Sequence, residues 1–139
     1  MERTAHGITW ELWQNGGEKQ VIAKKTRATN TVQLVGMQTL VDPVRAGGAN
    51  NIIVAGGIDY ALDLWGILDG HALRDPDGQG IVYATHFYNW HGNWASNFLV
   101  VAERYPLLVG EFCADIKKCH LCRRTSRKIR TRGCPMRWR

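Results

Sequence analysis

Two short apolar segments of the chain end in side chains that could carry acid–base chemistry. Residues 107–112 form an apolar run that contains the carboxylate Glu111 near its end. Residues 81–88 form a second run, which ends in the titratable side chains His86 and Tyr88. Runs of this length are typical of strands buried on both faces of a parallel sheet, and barrels of such strands carry their chemistry at the carboxyl ends. The pattern predicts a carboxylate enzyme on a parallel sheet.

Three side chains of these segments are expected to act together. Alternation along a strand places His86 and Tyr88 on one face, where hydrogen bonds to Glu111 could keep it ionised and oriented. Each has a plainer interpretation, Glu111 as a surface carboxylate and His86 as a hydrogen-bonded core histidine. Trp65 and Trp90 follow strands in loops, where a flat ring could stack on a sugar face, although either could instead belong to the core.

The elements that must position these residues are predicted from periodicity and punctuation. The predicted order is a loop at 18–31, a helix from Met37 that ends at Gly47, a strand at 51–57, a loop at 58–80, a strand at 81–88, a helix from Trp94 to Tyr105 and a strand at 107–112. Pro43 weakens the first helix because it removes a backbone donor. The order predicts βα units around a parallel sheet.

The chain has 139 residues, enough for one domain with a real core, and its charge is uneven. Residues 1–116 carry 8 Lys and Arg against 12 Asp and Glu, whereas residues 117–139 carry 10 Lys and Arg and no acid. We therefore expect a body at 1–116 and a basic, disordered tail at 117–139. No apolar run is long enough to span a membrane, and the first residues lack the pattern of a signal peptide.

The basic tail leaves a second function open. Cys113, Cys119, Cys122 and Cys134 could supply four zinc ligands to a module that grips phosphates through the surrounding cations. A lone Cys-x-x-Cys is a weak signal, and the spacing matches no zinc module. Nucleic-acid or zinc binding is therefore the minor alternative, and we expect neither a metal nor a nucleic acid partner.

Several segments together resemble bacterial members of glycoside hydrolase family five, the cellulase-type endoglucanases. The segments that carry the resemblance are 6–11, 36–42, 50–60, 63–64, 80–88 and 102–112, with Gly56-Gly57-Ile58-Asp59-Tyr60, Thr85-His86-Phe87-Tyr88 and Val109-Gly110-Glu111-Phe112 among them. The resemblance covers roughly residues 6–116, and residues 18–31 are its poorest part.

The resemblance implies an α/β fold that is a partial (β/α)₈ TIM barrel, with about strands five to seven. It implies hydrolysis of β-glucosidic bonds in a polysaccharide such as cellulose, with retention, by Glu111 as nucleophile with His86 and Tyr88 beside it. The substrate contacts expected on this basis are Trp90, Trp65 and His6. It implies no cofactor and no membrane, and the family is generally exported from the cell.

The sequence departs from the family where the acid/base glutamate is expected. The family has Asn-Glu-Pro before the segment that begins at His6, and this chain has Arg3-Thr4-Ala5. Because a threonine cannot be a general acid at neutral pH, we expect the chain to be an inactive fragment. A non-catalytic carbohydrate-binding remnant is the other possibility.

Both ends resemble the out-of-frame translation of a longer glycosidase gene. Back-translated from Cys119 and shifted by one base, the tail reads as a sequence similar to the one that follows the nucleophile strand in this family. Suitable codons for Met1 to Ala5 likewise contain Trp-Asn-Glu-Pro. On this hypothesis the arginines and cysteines of the tail have no selected role.

Overall fold

The computed structural model describes residues 8–23, 27–76, 78–88 and 91–113. Its helices and strands follow in the order α1 (Trp10–Asn15), β1 (Gly16–Ile22), β2 (Thr29–Val35), α2 (Met37–Ala46), β3 (Ile53–Gly56), β4 (Ile81–Tyr88) and β5 (Leu107–Cys113). Short helical turns lie at Ile58–Ala61, Trp65–Ile67, Ala95–Leu99 and Val101–Glu103. The tail at 117–139 lies outside the described residues, so the boundary at residue 116 stays a prediction.

β3, β4 and β5 form a parallel sheet with β4 in the centre. Ile53 of β3 lies opposite Ile81 of β4, and Tyr83 of β4 lies opposite Leu107 of β5. The three predicted strands and their parallel arrangement are confirmed, and the chain is of the α/β class. The carboxyl ends of all three strands therefore meet at one edge of the sheet.

The prediction of a loop at 18–31 is wrong, because β1 and β2 form an antiparallel hairpin there. The hairpin runs from the pair Gly16 and Val35 to the pair Ile22 and Thr29. All of its described side chains are half-buried or exposed, so no core imposes an apolar alternation that the sequence could reveal. The chain passes directly from α1 into β1 through Gly16, whose φ of 73° favours glycine.

The parallel sheet has one covered face and one open face. On the covered face, Ala55, Tyr83 and Thr85 are buried. The core residues clustered with this face are Trp10, Trp13, Val41, Ile58, Leu64, Ile67, Leu73, Phe98 and Val101. On the open face, Val54 is 52% exposed and Leu108 is 45% exposed. The prediction of strands buried on both faces is therefore wrong for β3 and β5, whereas the central strand β4 is buried at Tyr83, Ala84 and Thr85 in succession.

The segment after β4 is helical but irregular. The apolar pattern at 94–105 predicts one regular helix, whereas the structure has a wide π-type turn at 95–99 followed by a tight 3₁₀ turn at 101–103. Phe98 is buried as predicted, but Ala102, on the same predicted face, is exposed. The change in turn width leaves Val101 in the core but turns Ala102 out to solvent.

Residues 71–75 form neither helix nor strand, yet they are held through backbone groups and one carboxylate. The side chains that hold them come from α1, α2 and β4; they are Gln14, Gln38, Arg45 and Tyr83. The Gln38 amide accepts a hydrogen bond from Arg74 N–H at 2.9 Å and donates one to the Arg74 carbonyl at 3.0 Å. Part of the long loop predicted at 58–80 is thus ordered by distant side chains.

Removing the Tyr83 hydroxyl is expected to destabilise the fold. This oxygen accepts a hydrogen bond from Leu73 N–H at 2.8 Å, and burial raises the pKa of Tyr83. Tyr83→Phe would leave a buried N–H without a partner, which costs about 2 kcal/mol of unfolding free energy. Urea unfolding measures the change, with Tyr60→Phe on an exposed tyrosine as the control. Equal stability of Tyr83→Phe and the wild type would contradict this account.

The same segment ends in an ion pair that is largely shielded from solvent. Arg45 Nε and Nη2 donate to the two carboxylate oxygens of Asp75 at 2.7 and 2.8 Å, and Gly80 N–H adds a third bond at 2.9 Å. The hydrogen bond from Arg45 lowers the pKa of Asp75, although desolvation opposes it. A side chain at Gly78 would clash with both partners. The pair therefore joins the loop before β4 to the end of α2.

The Asp75 ion pair makes the fold sensitive to acid. A carboxyl whose pKa is lower in the folded chain contributes stability above its unfolded value of about 3.9, and that contribution is lost as the pH falls towards the folded value. We expect the unfolding free energy of the wild type to fall more steeply over this acid range than that of Asp75→Asn. Urea unfolding at a series of pH values measures both slopes. Asp69→Asn, at an exposed carboxylate, should retain the wild-type slope.

Candidate active site

An irregularity in β5 places its carboxylate on the open face of the sheet. Thr85 of β4 lies opposite Val109, but the next residue, His86, lies opposite Glu111, so Gly110 is an extra residue in β5. Without this bulge, strict alternation would put Glu111 on the covered face with Thr85. The bulge instead brings Glu111 to the same face as His86.

Gly110 also makes room for the histidine ring. A Cβ at this position would lie 3.1 Å from His86 Nε2 and 3.3 Å from His86 Cδ2. Both separations are tighter than ordinary van der Waals contact. The close approach of the imidazole therefore favours glycine at residue 110.

Glu111 is contacted by both side chains that the sequence predicts beside it. The Tyr88 hydroxyl donates a hydrogen bond to Glu111 Oε1. His86 Nδ1 lies 3.4 Å from Glu111 Oε2, which is longer than an ordinary hydrogen bond. The Glu111 side chain is 54% exposed and that of His86 is 36% exposed. The carboxylate is thus oriented by the Tyr88 hydrogen bond while remaining open to a ligand.

These three side chains open into a groove of about 460 Å³ at the carboxyl edge of the sheet. The described residues that line it are Asp59, Tyr60, Leu62, His86, Tyr88, His91 and Glu111. Trp65 is half-buried at the start of a 3₁₀ turn and is not among them. His6 and Trp90 lie outside the described residues, so their expected contacts with substrate stay predictions.

The turn after β3 forms one wall of the groove and has an unusual backbone. Asp59, Tyr60 and Ala61 have φ values of 54°, 57° and 63°, in the left-handed region. For residues other than glycine this conformation costs roughly 1–2 kcal/mol per residue, and the cost is smallest for Asp and Asn. Reciprocal backbone hydrogen bonds of 3.1 and 3.2 Å between Ile58 and Asp63 close the turn and hold it.

Helix α1 fixes the end of β3, from which this turn begins. Trp13 Nε1 donates to the Gly56 carbonyl at 3.0 Å, and Trp13 packs edge-on against Trp10 at a centroid distance of 4.9 Å. Trp10 in turn lies against Gly66, where any side chain would clash with its indole ring. The wall of the groove is therefore attached to the core on both sides of the strained turn.

Sequence reasoning missed Asp59, Tyr60 and His91 as lining residues. Asp59 and Tyr60 could have been predicted, because they follow the end of the predicted strand at 51–57. The predicted site residues likewise lie at the carboxyl ends of their strands. Tyr60 is 78% exposed although it is aromatic. His91 follows β4 by three residues, where no pattern distinguishes it.

Within the described residues, no three His, Cys, Asp or Glu side chains are grouped so that they could hold a metal ion. The tail cysteines considered above as zinc ligands, Cys119, Cys122 and Cys134, lie outside those residues. In the described part of the chain, no helix combines the length and apolar character needed to cross a membrane.

Comparison with known proteins identifies the family. The profile of the family described as Cellulase (glycosyl hydrolase family 5) matches residues 5–131, which is most of the chain and extends past residue 116. Comparison with curated proteins and with solved structures gave no match. The matched range includes β3, β4 and β5 and every described residue of the groove, which confirms the resemblance. The chain therefore belongs to glycosyl hydrolase family 5.

Proposed function

We propose that the groove binds a β-glucan such as cellulose and that Glu111 attacks the anomeric carbon of one sugar, with retention of configuration. The parent fold is a (β/α)₈ barrel in which β3, β4 and β5 correspond to strands five, six and seven. The observation that carries the proposal is the contact of Glu111 with Tyr88 and His86 at an open groove. Family membership supports glycoside hydrolysis as the reaction class.

The two oxygens of Glu111 have different surroundings, which supports different roles for them in the proposed reaction. Tyr88 donates to Oε1 and fixes the plane of the carboxylate. Oε2, at 3.4 Å from His86 Nδ1, is the oxygen less engaged by hydrogen bonding and is left to attack. His86 and Tyr88 are positioning residues on this account, because they orient the nucleophile and do not bond to the sugar carbon.

The reaction proceeds through a covalent intermediate. As Oε2 of Glu111 bonds to the anomeric carbon, the bond from that carbon to the glycosidic oxygen breaks. The departing oxygen keeps the electron pair and takes a proton, which in this chain comes from water because residues 3–5 hold no carboxylic acid. A water molecule then bonds to the same carbon and gives up a proton to solvent as the bond from that carbon to Oε2 breaks, which releases the sugar and restores the Glu111 carboxylate. Two inversions give net retention.

Sugar binding in the groove is proposed to involve stacking on Tyr60. Its ring is exposed and borders the groove, as a platform for the apolar face of a sugar requires. Trp65, Trp90 and His6 remain proposed contacts for sugars further along the polysaccharide. Cellulases of this family are generally secreted, and we propose an extracellular site of action.

A labelling reagent with an activated leaving group tests the nucleophile. The chain has Arg3-Thr4-Ala5 where the family resemblance calls for the general acid, so the test should not depend on proton donation. Dinitrophenyl 2-deoxy-2-fluoro-β-cellobioside meets this need, because dinitrophenolate departs without a proton and the fluorine slows the second step. Mass spectrometry should find one fluorocellobiosyl group, on the peptide that contains Glu111. No label, or a label on another residue, would overturn the proposal.

Natural glucan should be turned over much more slowly than in an intact family member. A natural glycosidic oxygen needs a proton as it leaves, and general acid catalysis contributes about 10²–10⁴-fold. Release of reducing ends from a soluble β-glucan, beside the labelling rate of the same preparation, measures the difference. Efficient turnover would contradict the inference drawn from residues 3–5.

A further inference from the structure

We propose that Asp59 is a second substrate-binding carboxylate of the groove, which accepts hydrogen bonds from the hydroxyl groups of a sugar adjacent to the one that reacts at Glu111. This inference rests on the proposed function, because it assigns the substrate's reacting sugar to Glu111. It concerns binding and specificity and assigns Asp59 no part in bond breaking.

Asp59 and Glu111 border the groove from different strands. Asp59 follows the end of β3, whereas Glu111 belongs to β5, and β4 lies between these two strands. Two strand spacings separate the two strands by roughly 10 Å. Both side chains nevertheless border the same groove. Asp59 therefore faces a part of a bound polysaccharide that is distinct from the reacting carbon.

The turn that carries Asp59 has three consecutive residues in the left-handed region. Ala61 is buried, and its methyl group lies close to Gly56, so packing explains the position of this residue. Packing does not explain Tyr60, which is 78% exposed in the same strained conformation. Residues whose backbone adopts the left-handed conformation without any gain in core packing are concentrated at ligand sites. The turn presents Asp59 and Tyr60 to the groove together.

Asp59 and Tyr60 together have the chemistry of a sugar-binding pair. A carboxylate has two oxygens and accepts hydrogen bonds only, which suits neighbouring sugar hydroxyl groups as donors. An aromatic ring beside it suits the apolar face of the same sugar. The ligand class that fits both is a neutral polysaccharide with free hydroxyl groups.

Titration calorimetry with cellohexaose tests the inference, in the Glu111→Gln background to prevent covalent reaction. Asp59→Asn is the informative variant, because Asn adopts the left-handed conformation as readily as Asp and keeps one carbonyl oxygen. We expect it to weaken cellohexaose binding about tenfold, since hydrogen bonds to a charged acceptor are replaced by weaker ones. Asp69→Asn, at an exposed carboxylate outside the described groove lining, should leave the affinity unchanged, and circular dichroism verifies folding.

The outcomes separate this inference from the proposed function. Cellohexaose binding that Asp59→Asn does not weaken would overturn the role of Asp59, while labelling of Glu111 in the otherwise unaltered chain would still stand. Absence of measurable binding to the Glu111→Gln chain would also overturn it. Binding that depends on Asp59 in a chain whose Glu111 is never labelled would support the carboxylate contact and contradict the proposed reaction.

Discussion

Replacing Glu111 by glutamine is expected to lower the rate of covalent labelling by on the order of 10⁴-fold or more, because an amide is not a competent nucleophile at the anomeric carbon. The substitution keeps the size of the side chain and an oxygen that can accept the Tyr88 hydrogen bond. The groove should therefore retain its shape, and the loss should appear in the rate of dinitrophenolate release. Stopped-flow absorbance measures that rate directly.

The control for this substitution is Glu103→Gln. Glu103 is an exposed carboxylate in the 3₁₀ turn before β5 and does not line the groove. Its replacement makes the same change in charge and should leave the labelling rate within about twofold, as for a surface site. Labelling of the Glu111→Gln chain at the wild-type rate, or equal losses in both variants, would contradict the assignment of the nucleophile.

Replacing Gly110 by valine is expected to lower the labelling rate by about 10²-fold, the loss associated with displacing a catalytic group by about 1 Å. A Cβ at residue 110 already lies 3.1 Å from His86 Nε2, and the two methyl groups of valine would occupy the space of the ring. Since His86 and Glu111 are paired across the bulge, the displaced imidazole would no longer flank the carboxylate. Gly110→Ala, which needs a shift of a few tenths of an ångström, should lose less.

Gly92→Val is the matched control for the Gly110 substitution. A Cβ at Gly92 meets no atom of the described residues within 4 Å, and its φ lies outside the left-handed region. The same side chain should therefore be tolerated there. Rates that are equal in the two valine variants would show that the imidazole contact at Gly110 is unimportant for labelling.

The parts of the fold that could be predicted are those whose signal is local. Residues 81–88 form β4 with the bounds given by the apolar run, and the helix from Met37 ends before Gly47 as its spacing indicates. Pro43 lies inside α2, and the helix continues for less than one turn beyond it, to Ala46. A strand or helix that buries one face has apolar residues at regular spacing in its own sequence, and that spacing can be recognised without the structure.

The parts that could not be predicted depend on partners far along the chain. The hairpin of β1 and β2 is held by backbone pairing and buries little, so its polar sequence resembles a loop. For the site, the sequence placed Glu111 near His86 and Tyr88, but the alternation of β5 alone would have turned Glu111 to the covered face. Only the bulge at Gly110 resolves this, and a glycine before a carboxylate does not by itself predict an extra residue.

The way in which residues 71–75 are held has a consequence for how this sequence can vary. Most of the bonds that fasten this segment go to its main chain, whose carbonyl and amide groups are the same whatever residues occupy the positions. Mutational drift should therefore be tolerated at Ala72 and Arg74 themselves. The restriction falls instead on Gln14 and Gln38, which lie in helices 58 and 36 residues before the groups that they bond, so the conformation of this connecting segment depends on side chains outside it.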